Sequence, residues 1–216
     1  LGAGLPAPLA ARKTAQQGWA GVHMMVGVPG TVGGGVFMNA GCHGGQWADI
    51  ITRVTAADLT GNSQIIPRAE IPFSYRRSGL ENVVVLEVEV RLRPGDTAEL
   101  DAEVERLIAW RQSGTPFNQP CCGSVFKNPE PPPPEGWSRP WTAGSLLDAA
   151  GLKESRAGGA LISSIHANYF VNAGGATAAD VRSLIATARE TVRQRFGVTL
   201  DTEVKLIGPW GAYLHV

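Results

Sequence analysis

The chain has 216 residues, of which 44% are hydrophobic and 18% are charged, as in an ordinary globular protein with a hydrophobic core. Its 19 lysines and arginines balance its 19 aspartates and glutamates, so the sequence shows no basic surface of the kind that binds nucleic acid or anionic membranes. No apolar stretch is long enough to cross a bilayer. The three cysteines, Cys42, Cys121 and Cys122, form neither a CxxC motif nor an even-numbered set, which argues against a zinc site or a disulfide framework and favours the cytoplasm.

The first part of the chain predicts a short helix followed by an antiparallel hairpin. The helix covers residues 5–18 and would end at a glycine. Residues 50–58 and 63–66 contain the two strands of the hairpin, which would turn at Gly61-Asn62.

Residues 83–93 form the clearest predicted strand. Its apolar residues alternate with charged ones, a period of two that predicts a single apolar face. That face would consist of Val84, Leu86, Val88, Val90 and Leu92. The Pro94-Gly95-Asp96 turn would end the strand.

The second part of the chain predicts both helices and strands. Thr177 precedes the last helix and Asp180 follows three positions later, the arrangement of a capping box. The proline-rich run at 129–134 cannot pair inside a sheet and predicts an extended surface loop. The other predicted elements are helices at 98–111 and 144–150 and strands at 167–173 and 203–208.

Strands and helices therefore come in two blocks joined near Pro94. This order predicts an α+β protein with a domain boundary close to residue 95, separating residues 1–95 from residues 96–216.

Glycine is unusually common. It makes up 27 of the 216 residues and clusters at 27–45, 158–159 and 174–175. Such clusters predict tight turns or close approach of the backbone to a ligand. The PGTVGGG run at 29–35 lacks the GxGxxG pattern of a dinucleotide-binding loop, so a structural hairpin and a ligand-binding loop both remain open.

Several short segments follow one another in a recognisable order: VPGTVGGGVFMNAG (28–41), FSYRRSGL (73–80), GSVFKNP (123–129), and HANYFVN with EVKLIG (166–172 and 203–208). Together with AGSLLDAAGLKESRAGGA (143–160), they resemble the UDP-N-acetylenolpyruvoylglucosamine reductase family of bacterial cell-wall synthesis. The resemblance extends from Leu1 to about Gly208.

The resemblance implies that the two parts of the chain have different functions. Residues 1–95 would be the remaining part of a two-part FAD-binding domain, and residues 96–216 a smaller α+β substrate-binding domain. Family members begin with a subdomain whose glycine-rich loop binds the flavin pyrophosphate. LGAGLPAPLA (1–10) is similar to the family pattern after that subdomain, which implies that this N-terminal subdomain is missing and that the chain alone purifies without flavin.

The resemblance also implies an oxidoreductase with the cofactors FAD and NADPH and a UDP-sugar substrate. NADPH would reduce FAD, and the flavin would transfer hydride to the enolpyruvyl group of UDP-N-acetylglucosamine-enolpyruvate. The product, UDP-N-acetylmuramate, is a peptidoglycan precursor. Because a vinyl ether is electron-rich, the attached carboxylate must accept electron density and the neighbouring carbon must receive a proton.

Three residues match the family's catalytic positions. Ser124 would donate the proton, although a serine after a glycine can also cap a turn. Arg76 would bind the carboxylate in bidentate fashion, whereas a surface ion pair suits Arg77 better. Glu203 would donate a hydrogen bond to the intermediate, the alternative being an exposed glutamate on a strand.

Other residues match positions that bind ligands. The expected cofactor contacts are Gly30, Thr31, Gly33, Gly34, Asn39, Ala40 and Gly41. The expected substrate contacts are Tyr75, Lys127 and Asn128, the last two at the diphosphate. His166 is interpreted as a packed histidine, and no histidine has metal-ligand spacing.

Two other interpretations stay open. One is another flavin oxidoreductase of the same broad FAD-binding fold, against which the GSVFKNP and HAN motifs argue. The other is an inactive fragment that binds a nucleotide sugar without catalysing a reaction. Flavin content would distinguish this fragment from the enzymes.

Overall fold

A computed structural model describes residues 1–130 and 132–208 and divides the chain into two compact units, Leu1–Arg111 and Gln112–Val216. Each unit combines helices with antiparallel strands, so the predicted α+β class is confirmed.

The first unit contains the elements up to and including most of a long helix. They are α1 (Ala7–Gln16), β1 (Trp19–Ala20), α2 (Val32–Phe37), β2 (Gly41–Cys42), β3 (Gly45–Gln46), β4 (Ile51–Asp58), β5 (Ser63–Pro67), β6 (Val83–Val90), β7 (Arg93–Pro94) and α3 (Thr97–Gly114). Short 3-10 turns lie at Val22–Met25, Trp47–Asp49 and Arg68–Glu70.

The main sheet of this unit has the strand order β5-β4-β6, and both pairings are antiparallel. The predicted hairpin is confirmed as β4 and β5. In its turn, one carboxylate oxygen of Asp58 accepts hydrogen bonds from the backbone N–H groups of Thr60 and Asn62, both at 2.9 Å. Gly61 has a φ of 94°, which suits glycine in a tight turn.

A register shift in β6 makes the predicted single apolar face wrong. Thr55 of β4 pairs with Glu87 and Ala56 pairs with Val85, so Leu86 is the extra residue of a bulge. A bulge changes the face on which the following residues lie. Val88 is therefore fully buried, whereas Val84 and Leu86 are 56% and 44% exposed.

The helix α3 belongs with the first unit by its packing. Leu100, Val104 and Leu107 are buried in the same core as α1 and the sheet. For this reason the compact units divide after Arg111, whereas the sequence predicted a boundary near residue 95.

The second unit packs two helices against a four-stranded antiparallel sheet. Its elements are β8 (Cys121–Ser124), α4 (Ala143–Ala149), β9 (Arg156–Ala157), β10 (Ala160–Ile162), β11 (Tyr169–Asn172) and α5 (Ala178–Phe196). The strand order is β8-β11-β10-β9. The core includes Leu146 and Leu147 of α4 and Leu184 and Ile185 of α5.

The capping box predicted for α5 is confirmed. The Thr177 hydroxyl accepts a hydrogen bond from the backbone N–H of Asp180, and the Asp180 carboxylate accepts one from the N–H of Thr177. The helix ends at Gly197, whose φ of 69° is typical of a glycine C-cap.

The strand predicted at 203–208 is wrong. Thr202 forms one isolated bridge to Phe126, and the next two backbone N–H groups, of Glu203 and Val204, both donate to the Val125 carbonyl. Successive N–H groups of a strand point to opposite sides. Donation to one carbonyl therefore marks a bend, and the ladder stops there.

The proline-rich segment contains no helix or strand in its described residues, as predicted, and residues 132–134 are exposed. The segment after it packs through aromatic contacts. The Trp137 ring lies 5.4 Å from that of Trp141 and 5.5 Å from that of Phe196, edge to face in both cases.

Candidate functional site

A tight turn at residues 74–77 carries two of the predicted ligand-binding residues. Ser74 and Arg77 exchange backbone hydrogen bonds of 2.9 and 3.1 Å, and Tyr75 and Arg76 lie between them. Arg76 has a φ of 55°, a left-handed backbone conformation that residues other than glycine and asparagine rarely adopt. Such strain occurs most often at functional sites.

The two arginines of this turn differ in their contacts. Arg76 is half-buried, its Nη2 donates to the Gly41 carbonyl at 2.9 Å, and its Cζ lies 4.9 Å from the centre of the Tyr75 ring. Arg77 is exposed and lies 3.6 Å from the Glu81 carboxylate, a surface pair that contributes little stability. Arg76 is thus the arginine whose guanidinium the protein orients.

Asn39 lies inside the protein, where its side chain contacts protein groups. It is 1% exposed, and its Nδ2 donates to the Gln46 side chain at 3.0 Å and to the Ser74 carbonyl at 2.8 Å. Its Oδ1 accepts from the backbone N–H of Ala48 at 3.0 Å. The sequence suggested a cofactor contact and missed this structural connection, because its partner Ser74 is remote in the chain.

Several glycines of the 27–45 cluster are required by internal packing. A Cβ added to Gly33 would lie 2.8 Å from the Ala3 Cβ, and one added to Gly41 would lie 2.7 Å from the Gly45 carbonyl. A Cβ on Gly35 would collide with the Trp47 indole. Ala40 is half-buried and donates its N–H to the Gly35 carbonyl at 2.7 Å.

Gly30, Thr31 and Gly34 instead form an exposed strip just before and within α2. Gly30 has a φ of 105°, and nothing lies within 4 Å of the position its Cβ would occupy. The absence of a Cβ at Gly30 allows another group to approach the backbone closely.

The first backbone N–H groups of α2 are already bonded within the chain. Val32 donates to the Leu5 carbonyl and Gly33 to the Ala3 carbonyl, both at 2.8 Å, and Gly34 donates to the Thr31 hydroxyl at 3.2 Å. A helix start binds phosphate through free N–H groups. The first amides of α2 are therefore not available to a phosphate.

In the second unit, a bulge precedes Ser124. Cys121 pairs with Val171 and Ser124 with Tyr169, so β8 contains one extra residue. Gly123 lies at this bulge with a φ of 80°. Bulges often redirect a side chain beside an active site. Ser124 is half-buried, and its hydroxyl has no hydrogen-bond partner within the described part of the chain.

Glu203 lies beside this segment. Its backbone N–H donates to the Val125 carbonyl at 2.7 Å, which places Glu203 next to the residue that follows Ser124. Desolvation of the Cys122 thiol by the surrounding protein raises its pKa, and the nearby charges of Cys121 and Glu203 raise that pKa further. The structure thus brings Ser124, Cys122 and Glu203 into one neighbourhood.

Asn168 holds the same segment from the other side. It is 3% exposed, its Oδ1 accepts from the backbone N–H of Phe126 at 2.9 Å, and its Nδ2 donates to the Phe126 carbonyl at 2.8 Å. Its own carbonyl accepts from the N–H of Val125 at 2.9 Å. This role of Asn168 was not predicted from the sequence, although a polar residue at the start of an apolar strand indicates a buried partner.

The predicted diphosphate ligands follow this segment. The backbone N–H of Lys127 donates to the Asp201 carbonyl at 2.8 Å, and its side chain is half-buried. Asn128 is exposed, and its Oδ1 accepts from the N–H of Ala143, the first residue of α4, at 3.1 Å.

His166 has the contacts of a packed histidine. Its Nδ1 accepts from the backbone N–H of Asn168 at 3.2 Å, and its ring lies 4.9 Å from that of Tyr169. No group of three or more histidine, cysteine, aspartate or glutamate residues that could hold a metal ion occurs in residues 1–130 and 132–208. In the same residues, no helix is both long enough and apolar enough to cross a membrane.

The predicted site residues are therefore distributed over both units. Ser124, Glu203, Lys127 and Asn128 lie in the second unit. The first unit contains Gly30, Thr31, Gly33, Gly34, Asn39, Ala40, Gly41, Tyr75 and Arg76.

Comparison with known proteins gives a consistent result. Residues 115–207 match the family described as the C-terminal domain of UDP-N-acetylenolpyruvoylglucosamine reductase. The reductases of that name from Parasynechococcus marenigrum and Bacillus cereus are 43% and 37% identical to this chain, over 95% and 96% of its length. The chain spans about two thirds of each relative, 67% in both cases.

A solved structure agrees with these relatives. The crystal structure of UDP-N-acetylenolpyruvylglucosamine reductase from Thermus caldophilus superposes with a TM-score of 0.77 at 32% identity. The alignment covers 94% of this chain and 70% of that one.

Proposed function

Because the chain belongs to the UDP-N-acetylenolpyruvoylglucosamine reductase family of oxidoreductases, we propose that it takes part in the reduction of UDP-N-acetylglucosamine-enolpyruvate to UDP-N-acetylmuramate. The proposal includes NADPH and FAD as cofactors and a cytoplasmic role in peptidoglycan precursor synthesis. The observation that supports it best is the backbone bond from Glu203 to Val125, which places an acid beside the strand that ends at Ser124.

The chemistry defines what the chain's residues must do. FAD, when bound, supplies the hydride that it has received from NADPH. Addition of hydride to the terminal carbon of the enolpyruvyl group breaks the carbon–carbon π bond and moves its electron pair toward the carboxylate. The carbon that bears the carboxylate must then receive a proton. The site therefore needs a proton donor and groups that stabilise negative charge on the carboxylate.

Ser124 is the proposed proton donor. A hydroxyl is a weak acid at neutral pH, but a carbanion-like carbon is far more basic than the alkoxide that remains. The Ser124 hydroxyl is without a partner in the described part of the chain, so no protein acceptor competes for its proton. The bulge at Gly123 fixes the direction of β8 just before Ser124.

Arg76 and Glu203 are proposed to stabilise the carboxylate as it gains negative charge. Arg76 suits the role because guanidinium remains charged and binds carboxylate through two parallel N–H groups. Glu203 would contribute as a carboxylic acid that donates a hydrogen bond. Lys127 and Asn128 would bind the diphosphate of the UDP-sugar, one by its charge and one by its amide N–H groups.

Gly30, Thr31 and Gly34 are the residues proposed to contact the flavin. Their exposed backbone would lie against one side of the ring. The first amides of α2 are bonded to carbonyls of residues 3 and 5 and to a threonine hydroxyl, so they would not bind the flavin diphosphate. We therefore expect weak FAD binding by this chain alone, and a colourless purified protein.

The test is a rapid-mixing measurement of each half-reaction on wild-type and Ser124→Ala protein supplied with FAD. We expect Ser124→Ala to leave flavin reduction by NADPH unchanged and to block reoxidation of the flavin by the UDP-sugar, since the hydroxyl acts only in the second step. Ser183→Ala, an exposed serine on α5, is the matched control. Equal loss in both half-reactions would mean that Ser124 has a structural role.

A wild-type chain that neither binds FAD nor oxidises NADPH would support the alternative of an inactive fragment that binds a nucleotide sugar. Calorimetric titration with the UDP-sugar then distinguishes the two outcomes. Binding that Lys127→Ala weakens would support the fragment, and no binding would contradict both functions.

A further inference from the structure

Asn39 connects two segments that are far apart in the sequence. Its Nδ2 donates to the carbonyl of Ser74, the first residue of the turn that carries Arg76, at 2.8 Å. The same nitrogen donates to the Gln46 side chain, and the Oδ1 accepts from the backbone N–H of Ala48. Every polar atom of the side chain thus has a protein partner. At 1% exposure, the side chain is not available to a cofactor.

A second contact joins the same two segments. Arg76 Nη2 donates to the carbonyl of Gly41, which follows Asn39 closely in the chain, at 2.9 Å. The turn at 74–77 is therefore bonded to residues 39–41 both through its first carbonyl and through the arginine side chain.

The backbone of both residues supports the importance of this connection. Asn39 has a φ of 43° and Arg76 a φ of 55°, both in the left-handed region. Asparagine tolerates this conformation, but arginine does so only where other contacts determine it. The contact from Asn39 to Ser74 is one that can hold the strained turn in place.

We propose that Asn39 is a positioning residue for Arg76. Its amide fixes the Ser74 carbonyl and with it the turn, so that the Arg76 guanidinium meets the substrate carboxylate in a single orientation. The inference rests on the proposed function for the role of Arg76, but the positioning itself concerns only protein groups.

The first test measures the position of Arg76 without any substrate. Phenylglyoxal modifies accessible arginines, and mass spectrometry of the full chain gives the rate at each site. We expect Asn39→Gly, which keeps the left-handed backbone but removes the amide, to raise the rate at Arg76 about tenfold, as for loss of one buried hydrogen bond. Arg77 in the same peptide is the internal control and should not change.

Asn39→Asp separates the donor from the acceptor. The carboxylate still accepts from Ala48, but it cannot donate to the Ser74 carbonyl. It should therefore raise the rate at Arg76 as Asn39→Gly does. Equal increases at Arg76 and Arg77, or no increase at either, would overturn the proposal.

A milder variant covers the case in which Asn39 variants do not fold. Gln46→Ala removes one acceptor of the Asn39 amide and leaves the bond to Ser74. We expect a smaller, selective increase at Arg76, about threefold. An unchanged rate at Arg76 in a folded Gln46→Ala protein, with no folded Asn39 variant, would also count against the proposal.

The second test uses the reaction. Asn39→Gly should raise KM for the UDP-sugar and lower kcat/KM, while the rate of flavin reduction by NADPH stays unchanged. A general structural defect would affect both half-reactions. If the wild-type chain supplied with FAD shows no reductase activity, the proposed function fails, and the phenylglyoxal rates still decide whether Asn39 positions Arg76.

Discussion

The two units orient their proposed catalytic residues by different means. In the first, Arg76 lies in a strained turn whose position depends on side-chain hydrogen bonds from Asn39 and to Gly41. In the second, Ser124 is followed by a segment held through its backbone, by Asn168 on one side and by Asp201 and Glu203 on the other. Removal of the Asn39 side chain should therefore disturb mainly the orientation of Arg76 in the first unit. Removal of the Asn168 side chain should instead lower mainly the stability of the second unit.

The largest effect is expected at Asn168. Asn168→Ala would leave the N–H and carbonyl of Phe126 buried without partners, which costs about 4 kcal/mol of unfolding free energy in the second unit. Urea denaturation followed by tryptophan fluorescence measures this loss. Asn172→Ala is the matched control, because the Asn172 side chain is exposed and, among the described residues, accepts only from the nearby Gly174 and Ala176. Similar losses of unfolding free energy in Asn168→Ala and Asn172→Ala would contradict the role given to Asn168 in stabilising the second unit.

Arg76 is expected to show the opposite balance between activity and stability. Arg76→Ala and Arg76→Gly should both lower kcat/KM about a hundredfold, because both remove the guanidinium. They should differ in stability, with glycine about 1 kcal/mol more stable than alanine, since a φ of 55° strains any residue with a Cβ.

Arg77 supplies the control for this pair, since it has no left-handed φ. There, glycine should be less stable than alanine by about 0.5 kcal/mol, and neither variant should affect the reaction much. Thermal unfolding and steady-state kinetics measure both quantities. If the glycine variant were more stable than the alanine variant at both positions, or less stable at both, the argument from backbone strain at Arg76 would be wrong.

The smallest effect concerns pH. Hydrogen bonds from Thr60 and Asn62 lower the pKa of Asp58 in the first unit to about 2, and those from Arg193 and Gln194 lower the pKa of Glu190 in the second to about 2. A lowered carboxyl pKa stabilises the fold above the unfolded pKa near 4, and this contribution is lost as the pH falls from about 4 to 2.

The two carboxylates should respond differently to salt. Asp58 bonds to neutral donors, whereas Glu190 is paired with a charged arginine in an exposed position. We expect Asp58→Asn to flatten the acid limb of stability at low and high salt alike, and Glu190→Gln to do so mainly at low salt. Acid titration of each variant followed by circular dichroism checks this.

Local sequence signals predicted the parts of the fold that local contacts determine. The Gly61-Asn62 turn and the capping box of Thr177 and Asp180 both involve partners a few residues apart, and both form. The bulge at Leu86 depends instead on pairing with β4, and the bend at Glu203 depends on the Val125 carbonyl. Because both partners are remote in the chain, neither irregularity can be predicted from a short segment of sequence.

The candidate site shows the same limit. The resemblance selected Ser124, Arg76 and Glu203 as candidate residues, whereas the residues that hold the turn of Arg76 and the segment after Ser124 were missed. Asn39 and Asn168 bond to Ser74 and Phe126, which are remote in the sequence. Likewise, the glycine cluster divides into packed and exposed members only once neighbours such as Ala3 and Trp47 are known.

The contact between Gly35 and Trp47 has a consequence for how this sequence can diverge. A Cβ at position 35 collides with the indole, so alanine cannot appear there while tryptophan remains. The Trp47 Nε1 is buried and without a hydrogen-bond partner in the described residues, so phenylalanine at position 47 loses no bond and gives up an unsatisfied donor. Substitution is therefore ordered in time: Trp47→Phe opens the path to Gly35→Ala, and the reverse order passes through an unstable intermediate.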